Sequence, residues 1–149
     1  MPEVEHIYDI DNAEFVTFLE RLDMAQRSFT DGDAGDFKKL WSHSDEVTLI
    51  GGHGGRVERG WENVAARLDW ASSTYHETDR RTEVVSGCVR EDFAYLVRKE
   101  VIEAQIGNDP TRRKQELRVT MVFRHEPEGW RIVHRHADSQ LEASWEDQG

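Results

Sequence analysis

A single cysteine, Cys88, stands among 149 residues. An internal disulfide is therefore impossible, and nothing in the chain requires an oxidising compartment. Its neighbours Val85, Ser86, Gly87 and Val89 read as the setting of a buried small residue, with no nearby base to make it a nucleophile. Long apolar runs are lacking too: none approaches the ~20 residues of a membrane span. Positive charge is scarce, with 19 Lys and Arg against 30 Asp and Glu and a formal net charge of −11. That balance argues against nucleic-acid and anionic-membrane partners, both of which want a basic patch. The first residues, MPEVEHIYDID, lack the basic-then-apolar pattern of a secretory signal, so a cytoplasmic location is expected. Repeats, low-complexity stretches and linkers are also missing. One domain over residues 1–149 is expected, with a core of about 12–140 and acidic tails at 1–10 and 141–149.

What is present concentrates in residues 115–139, QELRVTMVFRHEPEGWRIVHRHADS. Leu117, Val119, Met121 and Phe123 recur at every second position, the period of a half-buried strand. Glu126-Pro127-Glu128-Gly129 supplies a turn. Trp130, Ile132, His134 and His136 then alternate with Arg131, Val133, Arg135 and Ala137. Strict alternation places both histidines on one face of the strand.

Upstream, Phe15, Phe18, Leu19, Leu22, Ala25, Gln26 and Phe29 keep helical spacing, with Asp11 or Asn12 placed to cap the start. Asp31-Gly32-Asp33 closes that helix and opens a short second one bearing Phe37, Leu40 and Trp41. Glu46 to Ile50 reads as a strand, Gly51-Gly52-His53-Gly54-Gly55 as a loop, and Arg56 to Arg59 as a return strand. Trp61, Val64, Ala65, Leu68 and Ala71 mark a third helix. Long strands follow at about Tyr75–Val89, Phe93–Ile106, Lys114–His125 and Trp130–Gln140. Helices ahead of a meander of long strands predict an α+β fold with helices on one face of the sheet.

This order resembles the nuclear transport factor 2-like superfamily, over about Phe15 to Ser139. The most specific pieces are Asp31-Gly32-Asp33, Ser44-Asp45-Glu46-Val47-Thr48, and Thr120 with Trp130, Val133-His134-Arg135-His136 and Ser139. The superfamily includes SnoaL-like polyketide cyclases, ketosteroid isomerase and the association domain of calcium/calmodulin-dependent kinase. The resemblance implies a cone-like, strongly curved mixed or antiparallel sheet wrapped around the N-terminal helices, with a pocket at the wide end. Ketosteroid isomerase chemistry does not carry over. The positions matching its general base, oxyanion tyrosine and protonated aspartate hold Gly51, Ala25 and Met121. Acid–base shuttling needs those groups. The pocket arginines of the kinase association domain fall on Met121 and Ala137, so that carboxylate receptor is not reproduced either.

Two site readings follow from alternation. Glu100, Arg118, Thr120, His134 and His136 fall on even positions of adjacent strands. They form either an acid–base set, with Glu100 orienting a histidine and Arg118 holding an anion, or an ion-pair network at a dimer interface. His134, His136 and Glu100 are the catalytic candidates. Met121 and Arg135 fall on odd positions; with Phe29, Trp41 and Trp61 they would line an apolar cavity with one guanidinium. Arg135 is then the principal anion contact, balanced by Asp45 or Glu103, with Arg118 a second source of positive charge and His53 a contact from a mobile rim. No metal is expected, because two imidazoles beside an arginine make a poor cation site. No cofactor is expected.

These residues suit a dimeric pocket protein that binds a small apolar anion. They also suit a cofactor-independent cyclase, isomerase or hydrolase acting on a polyketide-like or aromatic compound, or an assembly domain. The expected partners are a small-molecule ligand and a second copy of the chain. That copy would pair through an even-position face carrying Val122, Trp130 and Ile132.

Overall fold

The computed structural model describes residues 11–139. Helix α1 (Ala13–Phe29) is capped by Asn12, whose side chain accepts a hydrogen bond from the Phe15 amide at 3.0 Å. Its buried residues Phe15, Phe18, Leu22, Ala25 and Gln26 make one stripe. A short α2 (Gly35–Lys39) follows, with its start held by Asp33, which accepts from the Gly35 amide. Then come β1 (Thr48–Ile50), β2 (Glu58–Arg59) and α3 (Trp61–Ser73). The long strands are β3 (Tyr75–Val89), β4 (Phe93–Ile106), β5 (Arg112–Glu126) and β6 (Gly129–Ser139).

The six strands form one curved sheet, not closed, in the order β2-β1-β6-β5-β4-β3. All neighbours are antiparallel except β1 and β6, which run parallel with Leu49 opposite Arg135. Two register shifts in β3 and one between β5 and β6 interrupt the ladders, and such bulges bend and twist a sheet. The expected strand at Glu46 to Ile50 begins only at Thr48, and the return strand is reduced to two residues.

Helix α1 lies against the concave face. Phe15 meets Phe123 and Trp130 edge-on at 5.1 and 5.2 Å between ring centroids, and Trp41, Phe37 and Ile132 complete this part of the core. The last turn of α1 is tied down by hydroxyls: Ser72 donates to the Phe29 carbonyl and Thr78 to the Thr30 carbonyl, each at 2.6 Å. These bonds satisfy carbonyls that the helix end would otherwise bury unpaired, and they hold Phe29 and Thr30 beside the open end of the core. Among the described residues no helix is long and apolar enough to cross a membrane.

The dimer face expected from alternation needs correction. Trp130 and Ile132 point into the core, at 3% and 0% exposure, because β6 carries an extra residue at Val133. The register passes from Val122 opposite His134 to Phe123 opposite Ile132, so the two halves of β6 present opposite parities to the core. His134 and His136 therefore lie on the convex face, away from Trp130.

Candidate functional site

Register also decides where the charges meet. Strand β4 pairs Glu100 with Leu117 and Arg98 with Val119, so each even residue of β4 shares its face with an odd residue of β5. Strand β6 continues that face through Ala137 and Arg135, and β3 contributes Arg80 opposite Ile102. Three arginines from three strands thus converge on one carboxylate at the concave face. Arg135 grips Glu100 with two parallel bonds, Nη1 to Oε2 at 2.9 Å and Nη2 to Oε1 at 2.8 Å. Arg98 donates from Nε to Oε2 at 3.0 Å, and its Nη2 donates to Gln26 Oε1 of α1. Arg80 brings Nη2 within 2.8 Å of Oε1, but off the line of a hydrogen bond. Its Nε and Nη2 meet no hydrogen-bond acceptor among the described residues, although the side chain is only 3% exposed.

The electrostatics follow from one carboxylate serving three guanidinium groups. Burial alone would push the Glu100 carboxyl up. Arg135, Arg80 and Arg98 override that and hold it well below the usual carboxylate range, so Glu100 is ionised. Burial pulls the Arg98 guanidinium down, whereas Arg135, with the bidentate share of the carboxylate, is raised against its own burial. The cluster keeps two positive charges in excess.

A cavity of about 50 Å³ opens beside this cluster, between the end of α1, helix α3 and the Gly51-to-Gly55 loop. Arg80 and Arg135 form its charged wall beside the cluster and Arg67 a third cationic contact; Phe29, Leu49, Leu68, Ile102 and Leu117 form its apolar walls. At the rim, Tyr75 donates to Gln115 Oε1 at 2.9 Å, and its hydroxyl lies 3.0 Å from His53 Nε2. Burial pushes the Tyr75 phenol up to about 12, against the pull of Arg135 and Arg80, so it is neutral. Burial, then the charge of Arg67, lowers the His53 ring. A Cβ at Gly52 would come within 2.8 Å of a Leu117 methyl, so a larger residue there would displace that side chain.

A family model of the SnoaL-like domain matches residues 19–140. The chain belongs to that family. Solved structures agree on the fold. A nuclear transport factor 2-like superfamily protein from Salmonella enterica serovar Typhimurium is 21% identical, with a TM-score of 0.71 over 89% of this chain and 92% of that one. A protein from Thiobacillus denitrificans named for the calcium/calmodulin-dependent protein kinase type II association domain is 19% identical, with a TM-score of 0.69 over 91% and 98%. A ketosteroid isomerase-like protein from Erwinia carotovora is 14% identical, with a TM-score of 0.67 over 85% and 96%. No curated protein matches the chain.

This SnoaL-like domain distributes the residues singled out from sequence over five places. Arg135, Phe29 and His53 line the cavity. Met121 lies beneath it, fully buried, with its sulfur 3.7 Å from Arg135 Nη1. Trp41 belongs to the core, and Trp61 stacks on His43 at 3.9 Å outside the cavity. Arg118, His134 and His136 are on the convex face, where Arg118 holds Asp138 in two bonds and Thr48 Oγ1 bonds His134 Nδ1. Glu100 is therefore separated from the histidines by the sheet, and the expected acid–base or interface network of Glu100 with His134, His136 and Arg118 does not form. The counter-ion of Arg135 is Glu100 instead of Asp45 or Glu103. Glu103 pairs opposite Asp79 and Lys114 on the convex side, and Asp45 lines the outer cleft beside Trp61. Cys88 is half-buried.

Arg80, Arg98 and Tyr75 were not among the site residues expected from sequence, and Gln26 was expected only on the inward stripe of the first helix. The signal was there for Arg98 and Glu100, which occupy the same parity as Leu96, Ile102 and Ala104 in an otherwise apolar inward stripe. Arg80 gave none, because its strand alternates charged and polar residues on both faces. Among the described residues no group of three or more His, Cys, Asp or Glu is placed to hold a metal ion.

The histidines make stability depend on pH. His53 and His134 are both lowered in the folded state, His134 by burial and then His136. The unfolded chain thus takes up protons near pH 6.5 that the folded chain refuses. The folded state should lose stability as pH falls from about 6.5 toward the lowered folded values. Melting temperatures measured between pH 7.5 and 5.5 should decline, and the His53→Gln, His134→Gln double variant should flatten that decline. An equal slope in both proteins would refute the assignment.

Proposed function

We propose that this domain binds a compact apolar anion, a small carboxylic acid, in the cavity beside Arg80 and Arg135. The observation that carries this reading is the charged wall: Arg80 and Arg135 line the cavity, no carboxylate among the described residues lines it with them, and both share the single carboxylate of Glu100 with Arg98. Arginine is well suited to hold a carboxylate, since its guanidinium is always charged and carries several donors. Glu100 offsets only one of the three clustered charges, so a carboxylate in the cavity offsets charge that the domain alone leaves in excess. The apolar walls suit a short hydrocarbon stem. The size of the cavity disfavours polyketide-like substrates, since sites for drug-sized ligands run to ~300–1,000 Å³.

Isothermal titration with butanoate tests the reading. One site per chain is expected, with affinity reduced at least about thirtyfold in Arg80→Gln, since loss of a buried charged partner costs ~2–5 kcal/mol. Absence of binding by butanoate and its close homologues would overturn it. A turnover reading now rests on His53, the histidine that lines the cavity, because His134 and His136 lie across the sheet.

The convex face supports pairing with a second copy. Phe93 and Tyr95 are 52% and 42% exposed there, beside Val122 and the two histidines. Light scattering at micromolar concentration should give a dimer mass, and Tyr95→Glu should give a monomer. A monomeric wild type would refute pairing.

A further inference from the structure

We infer that the ligand of this cavity carries two acidic groups and is a short dicarboxylic acid in its dianionic form. The inference rests on the anion-binding reading above and adds a second, separate contact. That contact is Arg67 of α3, which lines the same cavity from the side of the glycine loop. Its guanidinium rests against that loop. A Cβ on Gly51 would lie 2.8 Å from Arg67 Nη2, and one on Gly55 would lie 3.1 Å from Nη1. Gly55 has φ +91°, a conformation that glycine adopts without strain. Arg67 Nη2 donates to the Gly54 carbonyl at 2.8 Å, and the guanidinium carbon rests 4.8 Å from the centre of the Trp70 ring. Among the described residues Arg67 takes part in no ion pair.

Charge then selects the ligand. Arg67, Arg80 and Arg135 line the cavity together with no carboxylate. Glu100 sits behind the wall and offsets one charge of the Arg80, Arg98 and Arg135 cluster. Tyr75 and His53 are both neutral and supply no counter-charge. A monocarboxylate beside Arg80 and Arg135 leaves Arg67 without an anion, whereas a dicarboxylate supplies a second one from within the same cavity. The cavity, at about 50 Å³, keeps the connecting chain short.

The test compares butanoate, pentanoate and hexanoate with succinate, glutarate and adipate by calorimetry at pH 7.5 and fixed ionic strength. The best dicarboxylate should bind at least about tenfold tighter than the monocarboxylate of equal length, the effect of a second partly desolvated charge contact. That ratio should fall toward one in Arg67→Gln, recover in part in Arg67→Lys, and persist in Arg118→Gln, which removes a cation from the convex face. Circular dichroism establishes that each variant is folded. A ratio near one in the wild type, with butanoate bound, overturns the dicarboxylate and leaves the anion reading standing. A ratio unchanged in both Arg67 variants also overturns it, and failure of every acid to bind overturns both readings.

Discussion

Glu100→Gln should unfold the domain or reduce its stability by roughly 3–5 kcal/mol, the cost of removing one partner from a buried ionic cluster. The variant would leave Arg80, Arg98 and Arg135 buried around a neutral amide, with three positive charges where there are now two in excess. The amide oxygen can accept from Arg135, but the second oxygen becomes a donor facing donors. Urea unfolding at pH 7 measures the loss, and Glu100→Asp, which keeps the charge on a shorter stem, should fall between the two. A loss below about 1 kcal/mol in Glu100→Gln would mean that the arginines relax into solvent on their own. The same group sets the acid limit. Its folded pKa lies well below the unfolded value near 4.3. Its contribution is therefore fully present above that value and is lost as pH falls from about 4 through the folded pKa. A steep loss of folded structure is expected in that range, after the shallower histidine decline that starts near pH 6.5.

Arg80→Met is expected to act in the opposite direction on stability while abolishing ligand binding. The guanidinium of Arg80 is buried and shares the Glu100 carboxylate with two other arginines, and among the described residues its Nε and Nη2 meet no acceptor in hydrogen-bonding geometry. Methionine preserves much of the stem packing and removes an underpaired charge, so the ligand-free domain should gain roughly 1–2 kcal/mol. Carboxylate affinity should fall by at least about a hundredfold, beyond the glutamine variant, because methionine offers no donor at all. Thermal melting and calorimetry on one preparation give both numbers. A stability loss above about 1 kcal/mol would make Arg80 a structural counter-ion of Glu100 and would count against the anion site. Opposite signs for stability and binding are the mark of a residue kept for function.

Much of the architecture was legible in the residues. The helical spacing of Phe15, Phe18 and Leu22, the glycine punctuation, and the alternation from Leu117 to Phe123 fixed element types to within a few residues. These signals are local, and each depends on a period of about 3.6 or 2 that the chain carries within itself. Arg135 was placed on the pocket side for the same reason: its parity matches Met121 through an unbroken register.

Which faces join was not legible. Alternation along one strand says nothing about the offset to the next, and an odd offset between β4 and β5 moved Glu100 to the side opposite Arg118, His134 and His136. One extra residue at Val133 turned Trp130 and Ile132 inward while the histidines stayed outward. By itself the sequence determined the fold class, the order of elements, the acidic balance and the identity of Arg135 as an inward cation. Only the tertiary structure decided that Arg80, Arg98 and Arg135 share one carboxylate, and that Arg67 of α3 lines the same cavity beside the glycine loop. The physical reason is that strand register and helix placement are set by packing between segments far apart in the chain.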